Sequence, residues 1–362
     1  MFRRQKATGQ RCAAGARSRS SVRNMLRAGK PLFTLRPFPT RSVATILLLL
    51  AVASTSQPVR SQDGILLPGL SALSVSDTQD AAIAFVNMTS SPGLEGATLE
   101  LDGEGRQSQQ WRSSLGFTAE VTLKQPVFNA YWGLALVGAS LHDEIDLIAD
   151  NGQPVHLDLT RHVVGLRGSL GLVLPIDEHL KVKPFLSLVR SDLNSKSTID
   201  NLSATGPSAA PSGEARYKTS SNLLSSVATI DASYWQWSGR NKVELAARFN
   251  LINTNSVSGD SPWLNAASWE RSVQLKGKYS GPTSLVSVGR PWRWNAYATY
   301  TDFISTNKFS LGYNKLIEIG AGMDWQINIE PLDWFGWRSI GWSVGLIKGD
   351  NVVGYNIGVT AQ

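Results

Sequence analysis

Residues 317–330, IEIGAGMDWQINIE, decide how this chain folds. Every odd position from Ile317 to Ile329 is apolar, and the even positions hold Glu, Gly, Asp, Gln or Asn. Because successive side chains of a β-strand point to opposite faces, this alternation predicts a strand with one apolar and one polar face. A helix would spread the same apolar residues around its whole circumference.

The same period of two recurs over most of the chain, for example at 111–123, 243–251 and 353–360. Many of these segments reach ten residues, whereas strands of soluble proteins average about 5–6 residues and strands that cross a bilayer need about 9–11. We count about twelve segments, and the last of them could be two strands: 98–104, 111–124, 127–141, 155–174, 180–192, 222–236, 240–254, 268–280, 292–302, 308–320, 321–330 and 340–360.

Long strands with one polar and one apolar face predict an all-β fold, a closed antiparallel transmembrane β-barrel of about 12 strands. Closure is required because unpaired backbone groups cost several kcal/mol each in lipid. Small residues recur on the polar faces, where they leave room for larger neighbours: Gly116, Gly320, Gly322, Gly354 and Gly358. Tryptophans recur at strand ends, which is typical of an aromatic girdle at the membrane surface: Trp111, Trp235, Trp237, Trp269, Trp292 and Trp294. The alternative is a soluble β-sandwich with these tryptophans in its core.

The N-terminal residues 1–53 have the features of a signal peptide or leader. An 11-residue apolar stretch, 43–53, follows Arg41 and ends in Ala51-Val52-Ala53, an A-x-A cleavage pattern. The stretch is too short to span a bilayer, which takes about 20 residues. We therefore expect a mature N-terminus near Ser54, and Met25 is an alternative start that gives a signal of ordinary length.

Charge and cysteine content exclude several classes of protein. The formal net charge is +7, but residues 1–53 hold 11 Lys and Arg and no acidic residue, which leaves 24 basic and 28 acidic residues in the remainder. A nucleic-acid partner is therefore not expected, since it needs a basic patch on the folded domain. The only cysteine, Cys12, lies in the leader, so we expect no disulfide, no thiolate metal site and no cysteine nucleophile.

Residues 54–95 read as a lead-in, and 96–362 as the barrel. The S-x-x-Q spacing of 76–79 predicts a capping box, followed by a short helix over 80–86, although an opening strand fits nearly as well. The segment 76–87 could lie in the lumen as a plug. Residues 193–221 are rich in Ser, Asn, Thr, Pro and Gly, which predicts a long extracellular loop.

Motifs that carry chemistry are missing from the sequence, which has no H-E-x-x-H, G-x-S-x-G or Walker A pattern. The histidines are His142, His156, His162 and His179. Of these, His156 and His162 would lie about 20 Å apart on one strand face, too far for one metal ion, and 142–144 reads as a polar turn. We therefore assign no catalytic, cofactor-binding or metal-binding residues and expect no enzyme and no cofactor. A triad dispersed over several strands stays open, since triads are defined by geometry.

The polar faces carry charges of both signs. If they point inward, they could form salt bridges that plug a narrow lumen, or they could line a small pore. The residues are Arg112, Glu120, Lys124, Lys242, Glu244, Arg248, Glu318 and Asp324.

The C-terminal segment 317–362, and above all Lys348–Val359 (KGDNVVGYNIGV), resembles the closing strands of the solitary outer-membrane autotransporter-like β-barrel domain family, in which a Gly-Asp-Asn turn precedes a final amphipathic strand. The resemblance implies a twelve-stranded barrel over about 95–362, in the outer membrane of a Gram-negative bacterium. About 40 residues separate Ser54 from the barrel, too few for a passenger domain. The chain ends in 360–362, TAQ, where such barrels usually end in an aromatic residue. The assembly machinery would then recognise the last strand by Tyr355 and its apolar face, or one or two residues are missing.

These features lead to an expected function and its alternatives. We expect an outer-membrane, autotransporter-like barrel without a passenger, with a structural or small-pore role. Its expected partners are outer-membrane lipids and the outer-membrane assembly machinery, and we expect a monomer. The alternatives are a surface receptor or adhesin that acts through loops such as 193–221, and a lipid-modifying or proteolytic enzyme built into the barrel.

Overall fold

The structure is a computed structural model that describes residues 66–67, 70–91, 96–103, 105–121, 128–148, 154–202, 213–259, 267–304, 311–327 and 339–361. The chain divides into two units, Met1–Ala44 and Thr45–Gln362, and every described residue belongs to the second. The predicted leader 1–53 lies outside the described residues, so cleavage near Ser54 stays a prediction.

Twelve antiparallel strands form a closed barrel in the described part of the chain. Each strand pairs with the next along the chain, and the last, β14, pairs with the first, β3. Within the described ranges, a small hairpin and a helix precede the barrel. The elements are β1 (Leu66–Leu67), β2 (Leu70–Ser74), α1 (Val75–Ser90), β3 (Ala97–Gly103), β4 (Arg106–Val121), β5 (Asn129–Ile148), β6 (Pro154–Pro175), β7 (Leu180–Leu202), β8 (Gly213–Ser238), β9 (Asn241–Gly259), β10 (Ala267–Ser287), β11 (Arg290–Phe303), β12 (Lys315–Gln326), β13 (Ser339–Gly349) and β14 (Val352–Ala361). The predicted all-β barrel with a short N-terminal helix is confirmed.

The predicted number of strands is right, but two predicted strand boundaries are wrong, and the two errors cancel in the count. The segments 308–320 and 321–330 belong to a single strand, β12, because Gly320 and Gly322 pair in the ladder without breaking it. The segment 340–360 is two strands, separated by a two-residue turn in which Asn351 has a positive φ of 55°. This turn is the Gly-Asp-Asn turn on which the sequence resemblance depends.

The predicted loop at 193–221 is also wrong. Strand β7 continues to Leu202 and β8 begins at Gly213, with Lys196 directly opposite Lys218. Polar residues form these strands because backbone pairing continues above the membrane, where the outward face no longer needs to be apolar. Residues 203–212 lie outside the described ones, so the receptor or adhesin hypothesis stays a prediction.

The predicted polar turn at 142–144 is part of strand β5, which runs on to Ile148. The inward side chain of Asp143 accepts hydrogen bonds from Arg106 at 2.7 and 2.8 Å and pairs with it. Its neighbours His142 and Glu144 share the outward face. The alternation thus continues with polar residues on both faces, a pattern that hydropathy alone does not distinguish from a turn.

The barrel has two ends, which we name the upper rim and the lower rim. The upper rim holds the connections 104–105, 149–153, 203–212, 260–266, 304–314 and 350–351. The lower rim holds the connections 122–128, 176–179, 239–240, 288–289 and 327–338. Strands β6, β7 and β8 are the longest, and the hairpin of β7 and β8 extends the upper rim.

Apolar side chains point out of the barrel and polar ones point in, the reverse of a soluble protein. On β4, Leu115 is 75% exposed on the outside, whereas Arg112 is 4% exposed in the lumen. The outward apolar positions of β6 run from Val164 to Leu174, which is ~33 Å along the strand and about 25 Å of height at an ordinary strand tilt. That height matches the apolar band of an outer-membrane barrel, so the alternation marks a membrane-spanning wall.

Glycines on the inward face leave space for a larger side chain. A Cβ added at Gly320 would collide with the ring of Tyr297, and one at Gly345 would lie 2.8 Å from its hydroxyl. Tyr297 can therefore lie flat across two neighbouring strands, as the sequence analysis expected for small lumen-facing residues.

None of the helices in the described ranges is long and apolar enough to cross a bilayer.

We predict that Leu170→Arg destabilises the barrel in a bilayer by about 2–4 kcal/mol, because it places a charge against hydrocarbon. Leu170 is 72% exposed on the outward face. The matched control is Asn194→Arg, on the outward face of the neighbouring strand but above the apolar band. Urea-dependent refolding into vesicles measures the free energy of unfolding of both variants. Equal losses in the two variants would contradict the assigned membrane depth.

We predict that Val288→Asn stabilises the barrel by about 1 kcal/mol. Val288 and Gly289 form a two-residue turn with φ of 52° and 71°, a conformation that suits Asn-Gly and strains a β-branched residue. The reverse change in the other turn, Asn351→Val, should be destabilising by a similar amount. The temperature at which the folded, unboiled band disappears on electrophoresis measures both, and an unchanged value for Val288→Asn argues against strain.

Candidate functional site

The charged residues predicted on the polar faces do point into the barrel. Lys124 lies outside the described residues, and the other seven occupy inward positions. They form short-range pairs, for example Arg248 with Asp231 at 2.5 Å and Lys278 with Asp324 at 3.0 Å. The lumen is thus lined by opposite charges in contact, as the sequence analysis allowed.

Helix α1 lies inside the upper half of the lumen. Its residues from Ala82 onward, and Ser91 after it, are all buried. The helix packs against β5 to β10. Its polar residues bond to inward side chains of the wall: Asn87 accepts from Thr254, and Ser91 Oγ accepts from Asn250 at 3.1 Å. The segment predicted as a plug is therefore in the lumen, and it is longer than the predicted helix over 80–86. The side chains of 66–80 are not described, so the capping box stays a prediction.

The contacts of α1 fix its direction. Strand β9 runs upward from its turn with β8, so Thr254 lies above Asn250. Since Asn87 meets Thr254 and Ser91 meets Asn250, the helix runs downward and ends near the middle of the lumen. Arg112 confirms this end point by donating to the backbone carbonyl of Ser91 at 3.3 Å.

An apolar collar surrounds the helix. Phe85 and Val86 are completely buried, and Met88 is contacted by the hydroxyl of Tyr313 at 3.0 Å. The wall contributes inward apolar residues from several strands: Leu99, Leu101, Leu141, Val163, Leu193, Leu223, Phe303 and Ile347. Together these residues pack around the helix in the upper half of the lumen.

The sequence analysis missed this collar because it treated every inward face as polar. The sequence does indicate this collar in adjacent apolar residues such as Val163 and Val164, which put an apolar side chain on each face of one strand. Strands buried on both faces read as nearly continuous apolar runs.

The carboxylate of Glu270, a residue 3% exposed, faces the side-chain amide of Asn87 on the helix. Among the described residues, neither the oxygens of Glu270 nor Nδ2 of Asn87 bond to any other group. The seat of the helix thus contains one buried carboxylate whose neighbouring donor is supplied by the helix itself.

The lower half of the lumen contains a cavity of about 340 Å³. Its charged lining comprises Arg167, Lys183, Asp231, Arg248, Lys276 and Glu318. This size falls within the range of small-molecule sites. The lumen thus has two halves, one closed by α1 and one open and polar.

Two of the predicted girdle tryptophans face the lumen instead of the lipid. Trp235 and Trp237 lie at the lower rim at inward positions, where Lys242 lies 6.0 and 5.9 Å from their rings and Arg293 lies 5.1 Å from that of Trp237. Cation–π contacts explain why aromatic rings tolerate this polar face. The outward positions of Trp111, Trp269, Trp292 and Trp294 agree with the girdle.

The histidines lie away from the lumen. His142, His156 and His162 occupy outward positions near the upper rim, and His179 lies in the lower-rim connection 176–179. His142 approaches Glu144 at 3.2 Å, and His156 approaches Asp146 at 2.8 Å. Within the described ranges, no group of three or more His, Cys, Asp or Glu side chains could hold a metal ion. The expectation that the chain is not an enzyme stays a prediction.

No protein-family profile matches the chain, and no curated protein sequence matches it. Among solved structures it is similar to the β domain of the Bordetella autotransporter BrkA, with 14% identity, 73% of this chain and 94% of that one covered, and a TM-score of 0.46. It is also similar to the transport unit of AIDA-I from Escherichia coli (11% identity, 79% and 98% covered, TM-score 0.42). The translocator domain of NalP from Neisseria meningitidis gives 14% identity, 80% and 99% covered, and a TM-score of 0.41. The fold assignment itself rests on the strand pairing of the closed barrel.

We predict that Thr254→Val loosens α1 without unfolding the barrel. The threonine hydroxyl bonds to Asn87 and to Ser225 Oγ (2.6 Å), and each lost bond costs about 0.5–1.5 kcal/mol. Amides of 82–91 should exchange with solvent about fivefold to tenfold faster. The matched control is Thr301→Val on β11, where the hydroxyl bonds to Gln274 instead of the helix. Equal exchange in both variants would contradict the anchoring role.

Proposed function

We propose that this chain is an outer-membrane barrel of autotransporter-like type whose own helix closes the lumen, and that it acts as a small pore when the helix leaves. One observation supports this above all: residues 82–91 are buried in the middle of a twelve-stranded barrel. Barrels of eight strands are filled by side chains and those of 16–18 hold open channels, so the lumen of twelve strands lies between these cases and has room for a helix.

The contacts of α1 suit a removable plug. The apolar collar stabilises the closed state, and the polar contacts between the helix and the wall, such as Asn87 with Glu270, can be replaced by water when the helix leaves. Only four residues separate Ser91 from the wall at Gly96, so a displaced helix stays tethered. In this proposal the lower half of the lumen is a vestibule in front of the plug.

The proposal includes an orientation and partners. Outer-membrane barrels have short periplasmic turns and longer extracellular parts, which places the extended upper rim outside and the lower rim in the periplasm. Helix α1 then descends from the outer side. Membrane lipids contact the apolar band and the assembly machinery inserts the barrel, which works as a monomer.

We predict that deleting 54–90 raises single-channel conductance in planar bilayers, because it removes the plug and leaves the wall intact. Deleting 54–74 is the matched control, since it removes β1 and β2 but keeps the helix, and it should conduct like the intact mature chain.

Heat-modifiability on electrophoresis first establishes that each deletion variant forms a closed barrel. A folded 54–90 deletion with unchanged conductance would contradict the plug.

A further inference from the structure

The cationic side chains of the lower cavity are engaged within the protein. They are Arg167, Lys183, Arg248 and Lys276. Arg248 donates to Asp231 at 2.5 and 3.1 Å. Lys183 lies 3.6 Å from Glu120, and the other two cations also interact with groups of the chain. A charged ligand would therefore have to compete with partners that these side chains already have.

Two carboxylates of the cavity each present one oxygen that accepts no hydrogen bond in the described part of the chain. Both hydrogen bonds of Asp231 end on Oδ2, which leaves Oδ1. Glu318 accepts on Oε1 from Tyr297 at 2.7 Å and from Asn356 at 2.9 Å, which leaves Oε2. An ionised carboxylate oxygen accepts hydrogen bonds and donates none. A ligand in this cavity thus meets two acceptors that need a donor.

The two acceptors lie on separate walls of the cavity. Asp231 is on β8 and Glu318 is on β12, four strands away in the ring of twelve. Thr299 pairs with Glu318 in the ladder of β11 and β12, and it also lines the cavity. Its hydroxyl, which both donates and accepts, forms no hydrogen bond to the residues that the structure describes. A ligand that donates at several points around its edge fits this arrangement.

The lining disfavours a charged ligand of either sign. An anion would lie against the carboxylates of Asp231 and Glu318, and a cation would lie among four positive side chains. Close like charges repel, and the repulsion is stronger inside a protein than in water. An uncharged ligand with several hydroxyl groups avoids both costs and can still donate to both carboxylates.

Apolar atoms lie beside these polar groups. Phe185 and Ala246 line the cavity from β7 and β9. A sugar ring combines hydroxyl groups around its edge with C–H groups on its faces, so it matches a lining that is polar in some places and apolar in others. The cavity volume of about 340 Å³ is at the lower end of small-molecule sites, which suits a compact ligand.

We propose that the lower lumen binds an uncharged sugar, a hexose or a disaccharide. Its hydroxyl groups donate to Asp231 and Glu318, and its C–H faces lie against Phe185 and Ala246. The cations of the lining keep their own partners and hold the carboxylates in place. This binding does not require α1 to leave the lumen, so this proposal and the plug proposal succeed or fail separately.

The ligand class is tested with glucose, glucuronate and protonated glucosamine, which share one ring and differ in charge. The protein is held in lipid nanodiscs, because detergents with sugar head groups would compete, and binding is measured by calorimetry. Glucose and maltose should bind saturably, and the two charged analogues should bind about tenfold more weakly. Raising the salt concentration about tenfold should leave glucose binding unchanged, because salt screens charges and glucose has none.

The place of binding is tested by filling the cavity. Ala246→Leu puts a larger side chain into the lumen and should abolish glucose binding. The matched control is Ala247→Leu, which puts the same side chain on the outward face at the next position and should bind like the intact protein. Heat-modifiability on electrophoresis shows that both variants form a closed barrel.

The acceptor is tested by Glu318→Gln, which replaces a carboxylate oxygen by an amide and should weaken glucose binding about tenfold. The control is Glu244→Gln, since Glu244 pairs with Lys242 and does not line the cavity. This control should change nothing. The pair of variants keeps the test valid even where Ala246→Leu fails to fold.

Each opposite result overturns the proposal. Tighter binding of glucuronate or glucosamine than of glucose shows a site for ions. Equal glucose binding by the intact protein, Ala246→Leu and Glu318→Gln shows that the sugar binds elsewhere. Absence of saturable binding by both glucose and maltose shows that the cavity is no sugar site.

Discussion

Everything in this structure depends on the hydrogen bonds of the backbone in a hydrocarbon environment. Lipid offers no partner for an N–H or C=O, so a sheet in a membrane has to close on itself. Here closure depends on five residue pairs between β3 and β14, from Val352 opposite Leu101 to Asn356 opposite Ala97. That junction is the shortest in the ring. Closure of the whole sheet thus depends on its shortest strand.

Closure also decides what the inside of the barrel contains. With the apolar side chains turned to lipid, the lumen receives the polar set, and charges there are tolerable only in pairs such as Arg248 with Asp231. The upper half differs because α1 fills it, and the inward side chains around the helix are apolar. In the lower half the inward side chains are polar and a cavity remains.

The two halves of the lumen differ in what fills them. In the upper half, α1 packs against the wall around Phe85, and its Asn87 faces the carboxylate of Glu270. The lower half contains a cavity of about 340 Å³ lined by charged residues. The end of α1 at Ser91 lies between the two halves.

The sequence by itself determined the class of fold and the faces of most strands, and it indicated a helix before the barrel without excluding a strand there. Each of these follows from local rules: the period of two in 317–330, the length of the segments and the turn residues before Val352. It failed where local patterns were ambiguous, at the polar strands of 193–221 and 142–148, and where an inward residue such as Leu193 is apolar because a helix from far along the chain packs on it. Tertiary structure alone decided the direction and depth of α1 and the cavity in the lower lumen. These depend on register and on contacts between residues more than 150 positions apart, such as Thr254 with Asn87, which no local pattern encodes.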